Sequence, residues 1–137
     1  MAITAKLMLD GKFPGYNVIE CEYEFNQEID KNGKPCANPR GGIIKFTILS
    51  PSENDTTLHE WMLNKTEVKQ GIFTFDITLG AEKNRKTLSF EHAHCIHLNE
   101  YFNDQKSIQM ITKIILSAAK ISFGGKGTNY TNNELLS

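Results

Sequence analysis

The stretch with the most obvious chemical potential is HAHCIH, residues 92–97. Histidine and cysteine are the side chains that zinc prefers in proteins. The surrounding residues alternate between apolar and polar, which predicts a strand whose successive side chains point to opposite faces. We expect His92 and His94 on one face and Cys95 and His97 on the other, so at most two of them can hold one ion. The pattern predicts no metal site, and a zinc hydrolase that adds a distant ligand to His92 and His94 remains the enzymatic alternative.

The other reactive side chains give a weaker basis for catalysis. Cys21 alternates with Tyr23 and Phe25, which predicts a buried and unreactive thiol. Cys36 lies in a polar connection with no base beside it in the sequence. The glycine-rich segment 124–128 lacks the spacing of a phosphate-binding loop. The acidic residues of one strand share a face, which is typical of a solvated or interface stripe: Glu20, Glu22 and Glu24. We therefore predict no catalytic residue and no cofactor.

The elements that carry these residues are mostly strands. Period-two alternation of apolar residues runs through five segments, which predicts half-buried strands. The alternation is replaced by a helical pattern in one segment. There Thr57 and Glu60 have capping-box spacing, and Leu58, Trp61 and Met62 follow a helical period. We predict one short helix from about Thr57 to Asn64 that lays Trp61 on a sheet. The chain is thus predicted to be mainly β, a sandwich or a barrel. The alternating segments are residues 2–9, 17–28, 43–49, 71–80 and 87–102.

The last element, residues 107–123, is apolar on both faces when it is taken as a strand. A helix with Ser107 as its cap is an alternative, but the many isoleucines favour a strand. Antiparallel sheets usually keep one face in water. A strand that is apolar on both faces needs a second dry surface, inside the fold or against another subunit. The candidate subunit-interface residues on its outer face are Ile111, Ile115 and Ile121.

The connection from Asp30 to Gly42 is too long for a hairpin turn. Hairpins turn within two to five residues, whereas this segment holds two prolines, three glycines and several basic residues. Asn32 and Gly33 predict a tight turn at its tip, and Pro35 and Pro39 predict stiffness. The segment has no nucleophile paired with a base. A contact role is therefore expected for it.

Length and charge restrict the class of protein. The chain has 137 residues and a formal net charge of −1, which fits one domain and argues against nucleic acid or a membrane surface as partner. No apolar run is long enough to span a bilayer. We expect no signal peptide and no disulfide framework, because three cysteines lie far apart. The predicted organisation is one β domain over residues 1–124 and a polar tail over residues 125–137.

Five blocks of the sequence, in order and in spacing, resemble the type VI secretion tube protein family Hcp (TssD), in the variant of Bacteroidetes-like bacteria. The similarity extends from Ala2 to about Gly124. It implies a β-barrel of two antiparallel sheets with one short flanking helix. The blocks are MAITAKLMLDGK, YNVIECEYEFNQEIDKNGKPCANPRGG, LHEWML, KTLSFEHAHCI and AAKISFG.

The resemblance also implies a non-enzymatic function and a set of partners. Family members form hexameric rings that stack into a tube, and sheath contraction ejects the tube with effector proteins in its lumen. The expected partners are other copies of the chain, the sheath, spike and baseplate proteins, and effectors. The expected location is the bacterial cytoplasm, followed by export through the machine. The alternatives are a tail tube of a contractile phage-like particle and a monomeric ligand-binding barrel.

In the family, the long connection projects toward the next ring. This implies a ring-stacking role here for the charged and stiffening residues of residues 30–42. Their basic members are expected to meet acidic groups of another subunit, such as the stripe of Glu20, Glu22 and Glu24. The predicted ring-stacking residues are Asp30, Lys31, Lys34, Pro35 and Arg40.

Overall fold

A computed structural model describes residues 2–12, 15–38, 40–102, 110–124 and 127–136. Ser107 and Pro39, which the sequence singles out as a helix cap and a stiffening residue, lie outside these ranges. Within them the chain is mainly β, as predicted. The elements are β1 (Ala2–Leu9), β2 (Tyr16–Tyr23), β3 (Ile43–Leu49), α1 (Thr57–Leu63), β4 (Lys69–Leu79), β5 (Glu82–Phe102), β6 (Met110–Phe123), β7 (Thr128–Thr131) and α2 (Asn133–Leu136).

Six of the strands form a closed antiparallel barrel. Their order is β3-β2-β1-β4-β5-β6, and β6 pairs back with β3 along the whole of β3, from Ile43 opposite Ser117 to Leu49 opposite Ile111. The junction between β1 and β2 is short, with Lys6 opposite Asn17 as one of its pairs. The barrel prediction is confirmed, and β6 is a strand rather than a helix.

The core lies inside the barrel and beneath α1. Alternate side chains of the strands fill it, and α1 packs on β5 and buries Leu58 and Trp61. The indole nitrogen of Trp61 donates a hydrogen bond of 3.2 Å to the backbone carbonyl of Ala93. The helix prediction is therefore confirmed to within one residue at its end. Within the described residues, no helix has the length and apolar character to cross a membrane.

Two irregularities in β5 change which residues face the core. His92 has a φ of +51° in a bulge opposite β4, and a second register shift falls between Cys95 and His97. Cys95 is consequently buried while His97 is exposed. The expectation that these two side chains share a face is wrong, because the extra residue at the second bulge reverses the alternation.

The alternation in β6 also breaks, and this corrects one predicted interface residue. The side chains of Ile114, Leu116 and Ala118 face the core. Ala119 is buried as well, so the alternation shifts by one residue, and Ile121 also faces the core with no exposed surface. The prediction assumed an unbroken period of two from Ile111 onward. Ile121 therefore has no side-chain surface to offer another subunit.

Part of the predicted tail joins the barrel sheet. β7 pairs with the end of β6, with Tyr130 opposite Ile121. The ring of Tyr130 packs against Phe25, with ring centroids 5.2 Å apart. The chain after β6 thus returns to the end of the barrel at which β2 ends.

The contact between α1 and the barrel yields a stability prediction. Trp61→Phe should lower the free energy of unfolding by about 2–3 kcal/mol, because it removes a hydrogen bond, leaves the Ala93 carbonyl unpaired and opens a cavity. Leu63→Ala, on the same helix at a side chain that is 85% exposed, should change it by less than about 0.5 kcal/mol. Urea unfolding measures both, and equal effects would contradict the packing described.

Candidate functional site

The long connection is a two-stranded ribbon, which we call the arm and define as residues 26–40. At its base Asn26 and Arg40 exchange backbone hydrogen bonds of 2.7 and 2.6 Å. Farther out, the amide of Cys36 donates to the carbonyl of Glu28 at 2.9 Å. Backbone pairing therefore continues beyond the ends of β2 and β3, and the arm extends from the barrel as a defined structure.

A single carboxylate organises the tip of the arm. Oδ1 of Asp30 accepts hydrogen bonds from the amides of Asn32 at 2.8 Å and of Lys34 at 3.0 Å. Two backbone hydrogen bonds close the same turn. The amide of Gly33 donates to the carbonyl of Asp30 at 3.0 Å, and the amide of Asp30 donates to the carbonyl of Lys34 at 2.8 Å. Gly33 has a φ of +82°, which glycine adopts without the cost that a Cβ would impose. The predicted tight turn at Asn32 and Gly33 is present.

The predicted ring-stacking residues are all on this ribbon and all exposed. The guanidinium of Arg40 lies 3.5 Å from the carboxylate of Glu28, an exposed pair that contributes little stability. One residue that sequence reasoning missed is Ile29, whose side chain is 64% exposed. Its position between charged residues in a stretch without alternation gave no signal. The exposed predicted residues are Asp30, Lys31, Lys34, Pro35 and Arg40.

The root of the arm is fixed by close backbone packing. A Cβ at Gly41 would collide with the Phe25 ring, and one at Gly42 would come within 2.6 Å of the Ala118 carbonyl oxygen. Gly42 also has a φ of +88° and accepts a hydrogen bond of 2.7 Å from the Ala118 amide. The hydroxyl of Tyr130 donates to the Gly41 carbonyl at 3.3 Å. These contacts set the direction in which the arm leaves the barrel.

A pocket lies at the opposite end of the β2–β3 pair. It has a volume of about 480 Å³, and its walls include Leu9, Tyr16, Leu49 and Pro51. Tyr16 is the first residue of β2 and Leu49 is the last residue of β3, whereas the arm joins the other ends of these strands. We call this cavity the end pocket.

Carboxylates line the end pocket in fixed positions. Asp55 accepts a hydrogen bond of 3.0 Å from the Tyr16 hydroxyl and one of 3.1 Å from the Thr57 amide at the start of α1. Burial, and after it the bond to Asp55, raises the pKa of Tyr16 to about 12. Partial burial raises the pKa of Asp55, but the bonds from Thr57 and Tyr16 and the charge of Lys12 outweigh it, so that pKa lies below its ordinary value. Asp55 is therefore charged at neutral pH.

The outer face of β6 retains two of the three predicted interface residues. Ile111 and Ile115 are half-buried and lie on either side of the exposed Lys113. Ile111 lies between Leu49 of β3 and Tyr101 of β5 across the sheet, so apolar surface continues beyond β6. The predicted acidic stripe is also exposed, along β2 and just beyond it, at Glu20, Glu22 and Glu24.

The histidine cluster is divided between surface and core. The rings of His92 and His94 are neighbours, with centroids 5.8 Å apart. The Cys95 thiol is buried beside Met62, and burial raises its pKa to about 11, which keeps it protonated. Among the residues that the structure describes, no group of three His, Cys, Asp or Glu side chains is placed to hold a metal ion.

The family comparison and the comparison with solved structures identify the same family. The model of the family described as hemolysin coregulated protein Hcp (TssD) matches residues 1–133. The solved structure of Hcp1 from Flavobacterium johnsoniae is similar at 30% identity with a TM-score of 0.77, covering 94% of this chain and 99% of that one. No curated protein matches the chain.

More distant solved structures share the fold. Hcp1 from Salmonella typhimurium has 13% identity and a TM-score of 0.67, covering 96% of this chain and 93% of that one. The secreted protein Hcp3 from Pseudomonas aeruginosa has 13% identity and a TM-score of 0.62, covering 96% and 97%. The barrel architecture thus recurs where little sequence identity is left.

The Asp55 contacts yield a pH prediction. Asp55→Ala should lower the free energy of unfolding by about 1 kcal/mol at pH 7, because the Thr57 amide and Tyr16 hydroxyl lose their acceptor. The pKa of Asp55 is depressed in the folded state, so this contribution is present above the unfolded pKa of about 3.9 and is lost as the pH falls through the folded value. Chemical unfolding between pH 7 and pH 3 should show the two proteins converging. Glu53→Ala, at an exposed carboxylate two residues earlier, is the control, and a gap that does not narrow as the pH falls would argue against this assignment.

Proposed function

The chain belongs to the Hcp (TssD) family and is a type VI secretion tube subunit, and from this premise we propose that it forms hexameric rings that stack through the arm. The arm is the observation that carries the proposal. It extends from the barrel, its charged tip is exposed, and its backbone hydrogen bonds hold it in one conformation. A pre-organised ribbon loses less conformational entropy on contact than a flexible loop of the same length.

The arm supplies contacts that suit a neighbouring ring. Lys31, Lys34 and Arg40 offer positive charge to carboxylates of the next ring, while Asp30 holds the tip in shape. Pro35 stiffens the returning strand, because its ring fixes φ. Charged contacts at such a rim set the register and the rate of association more than the affinity.

Ring formation is proposed to use the outer face of β6. Ile111 and Ile115 lie on an outer face that also bears Leu49 and Tyr101, with Phe102 and Met110 exposed at the same end of the sheet. Exposed apolar surface of this kind is typical of a subunit interface. A ring needs a heterologous contact that closes by rotation, so these residues would face a different surface of the next subunit.

The rest of the proposal concerns partners and location. The tube is proposed to assemble in the bacterial cytoplasm and to leave the cell through the type VI machine, inside the sheath and behind the spike. Effector proteins would travel in its lumen, and the sheath, spike and baseplate proteins would be its other partners. The subunit would need no cofactor and catalyse no reaction, because its work is assembly. The buried, protonated Cys95, the half-buried His92 and His94 and the exposed His97 are compatible with that function.

Deletion of the arm tests its role in stacking. Replacing residues 27–39 with an Asn-Gly turn joins Asn26 to Arg40, which already form a backbone bridge. The variant should fold and form rings but fail to stack, because ring closure does not use the arm. Negative-stain microscopy distinguishes rings from tubes, and far-ultraviolet circular dichroism checks the fold. Normal tubes from this variant would show that the arm is not the stacking element.

The ring interface can be tested separately. Ile115→Glu should leave a folded monomer, because the side chain lies outside the core, while a buried unpaired charge opposes ring closure. Light scattering should then report the mass of one chain where the unchanged protein reports six. Leu63→Glu places the same charge on the exposed face of α1 and should still give rings. A hexameric Ile115→Glu protein would exclude this face from the interface.

A further inference from the structure

The arm and the end pocket lie at opposite ends of the same pair of strands. β2 begins at Tyr16 in the wall of the pocket and leads through Tyr23 into the arm, and β3 runs from the arm back to Leu49 in the wall of the pocket. A strand of eight residues spans about 26 Å. One subunit therefore carries a projection at one end and a cavity at the other.

We propose that the end pocket receives the arm of a subunit in the adjacent ring. The inference rests on the proposed stacking function and names the surface that completes it. Copies stacked head to tail by translation present the pocket end of one subunit to the arm end of the next. Such a contact is heterologous and repeats without limit, as a tube requires.

The chemistry of the pocket complements that of the arm. Its apolar walls at Leu9, Leu49 and Pro51 match Ile29, the exposed apolar side chain on the arm. A cavity of about 480 Å³ is within the range that holds a buried ligand. Several side chains of a ribbon therefore have room there, and Ile29 is assigned as the anchor.

Charge favours the same partner. Asp10 and Asp55 line the pocket together with Lys12, Asp10 also pairs with Lys69 at 3.3 Å, and the exposed Glu53 lies in the segment between β3 and α1. Each carboxylate already accepts bonds from its own chain, Asp10 from Gln70 and Lys69 and Asp55 from Tyr16 and Thr57. These bonds fix the oxygens in place and leave further lone pairs for ammonium groups. The cations of the arm tip that would meet them are Lys31 and Lys34.

The acidic stripe on β2 is a less suitable receiver. Glu22 lies directly opposite Lys45 on β3, which places a cation of the same subunit on the same face of the sheet. Glu24 follows β2 directly and adjoins the base of its own subunit's arm. A translated copy presents its opposite end to the arm, and the pocket is at that end.

Cysteine cross-linking tests the contact. In a Cys36→Ser background, which removes the exposed thiol of the arm, Lys31→Cys is combined with Asn54→Cys at the exposed rim of the pocket. Each chain then carries one arm thiol and one pocket thiol. Mild oxidation of stacked rings should link successive chains into a ladder of multimers on a non-reducing gel. When the two substitutions are on separate chains that are then mixed, each chain has one thiol for the contact, so cross-linking should stop at dimers. Rings that have not stacked should give no cross-links.

Two further pairs keep the outcome decisive. Ser52→Cys replaces Asn54→Cys as a second pocket position and should also give the ladder. Lys31→Cys with Glu22→Cys tests the acidic stripe and should not. A ladder from the stripe pair alone, or stacked rings that no pocket pair links, would overturn the arm–pocket contact while leaving the tube function intact. A chain that never forms rings or stacks would overturn the proposed function itself.

Discussion

The structure depends on the closure of its sheet between β3 and β6. Seven consecutive residue pairs, from Ile43 with Ser117 to Leu49 with Ile111, join the two strands. Closure gives each of the six barrel strands two neighbours. It also encloses the core and leaves no free sheet edge where β3 pairs with β6. It also fixes β3 on both sides, against β2 and β6. The arm and the end pocket lie at the two ends of β3, so the same pairing sets their relative positions.

The β3–β6 pairing and the root of the arm meet at Gly42. Gly42 begins the return into β3, and its carbonyl binds the amide of Ala118 on β6. A side chain at Gly42 would collide with the Ala118 carbonyl, so the strand can approach β6 here only because the residue is glycine. Tyr130 of β7 then closes over the adjacent Gly41. The contacts with the barrel therefore set the direction of the arm, while the hydrogen bonds within the arm set its shape.

The sequence predicted those features that depend on local periodicity. Alternation identified β1 to β5, and the change of period at Thr57 identified α1, because burial of one face imposes these patterns. The isoleucines favoured a strand for β6, whereas β7 lies in the segment that was predicted to be a polar tail. Alternation failed at the bulges near His92 and Ile96, because a bulge arises from pairing with another strand and leaves no mark in the alternation itself. Ile121 was misplaced for a similar reason. The end pocket was invisible, since Leu9, Leu49 and Asp55 converge only in the closed barrel.

An extended ribbon that projects from a barrel carries a physical risk. Its outer backbone groups can pair with any strand edge, which promotes aggregation. Pro35 removes one donor, and Lys31 and Lys34 add charge at the tip, so pairing along the edge of the arm is disfavoured. Ile29 is the exception, an apolar side chain left in water among charges. Specific stacking then requires a site that accepts an apolar anchor and ammonium groups together, and a flat sheet edge offers neither. The charges of Lys31 and Lys34 thus limit non-specific pairing of the arm and also favour a cavity with acidic walls as its binding site.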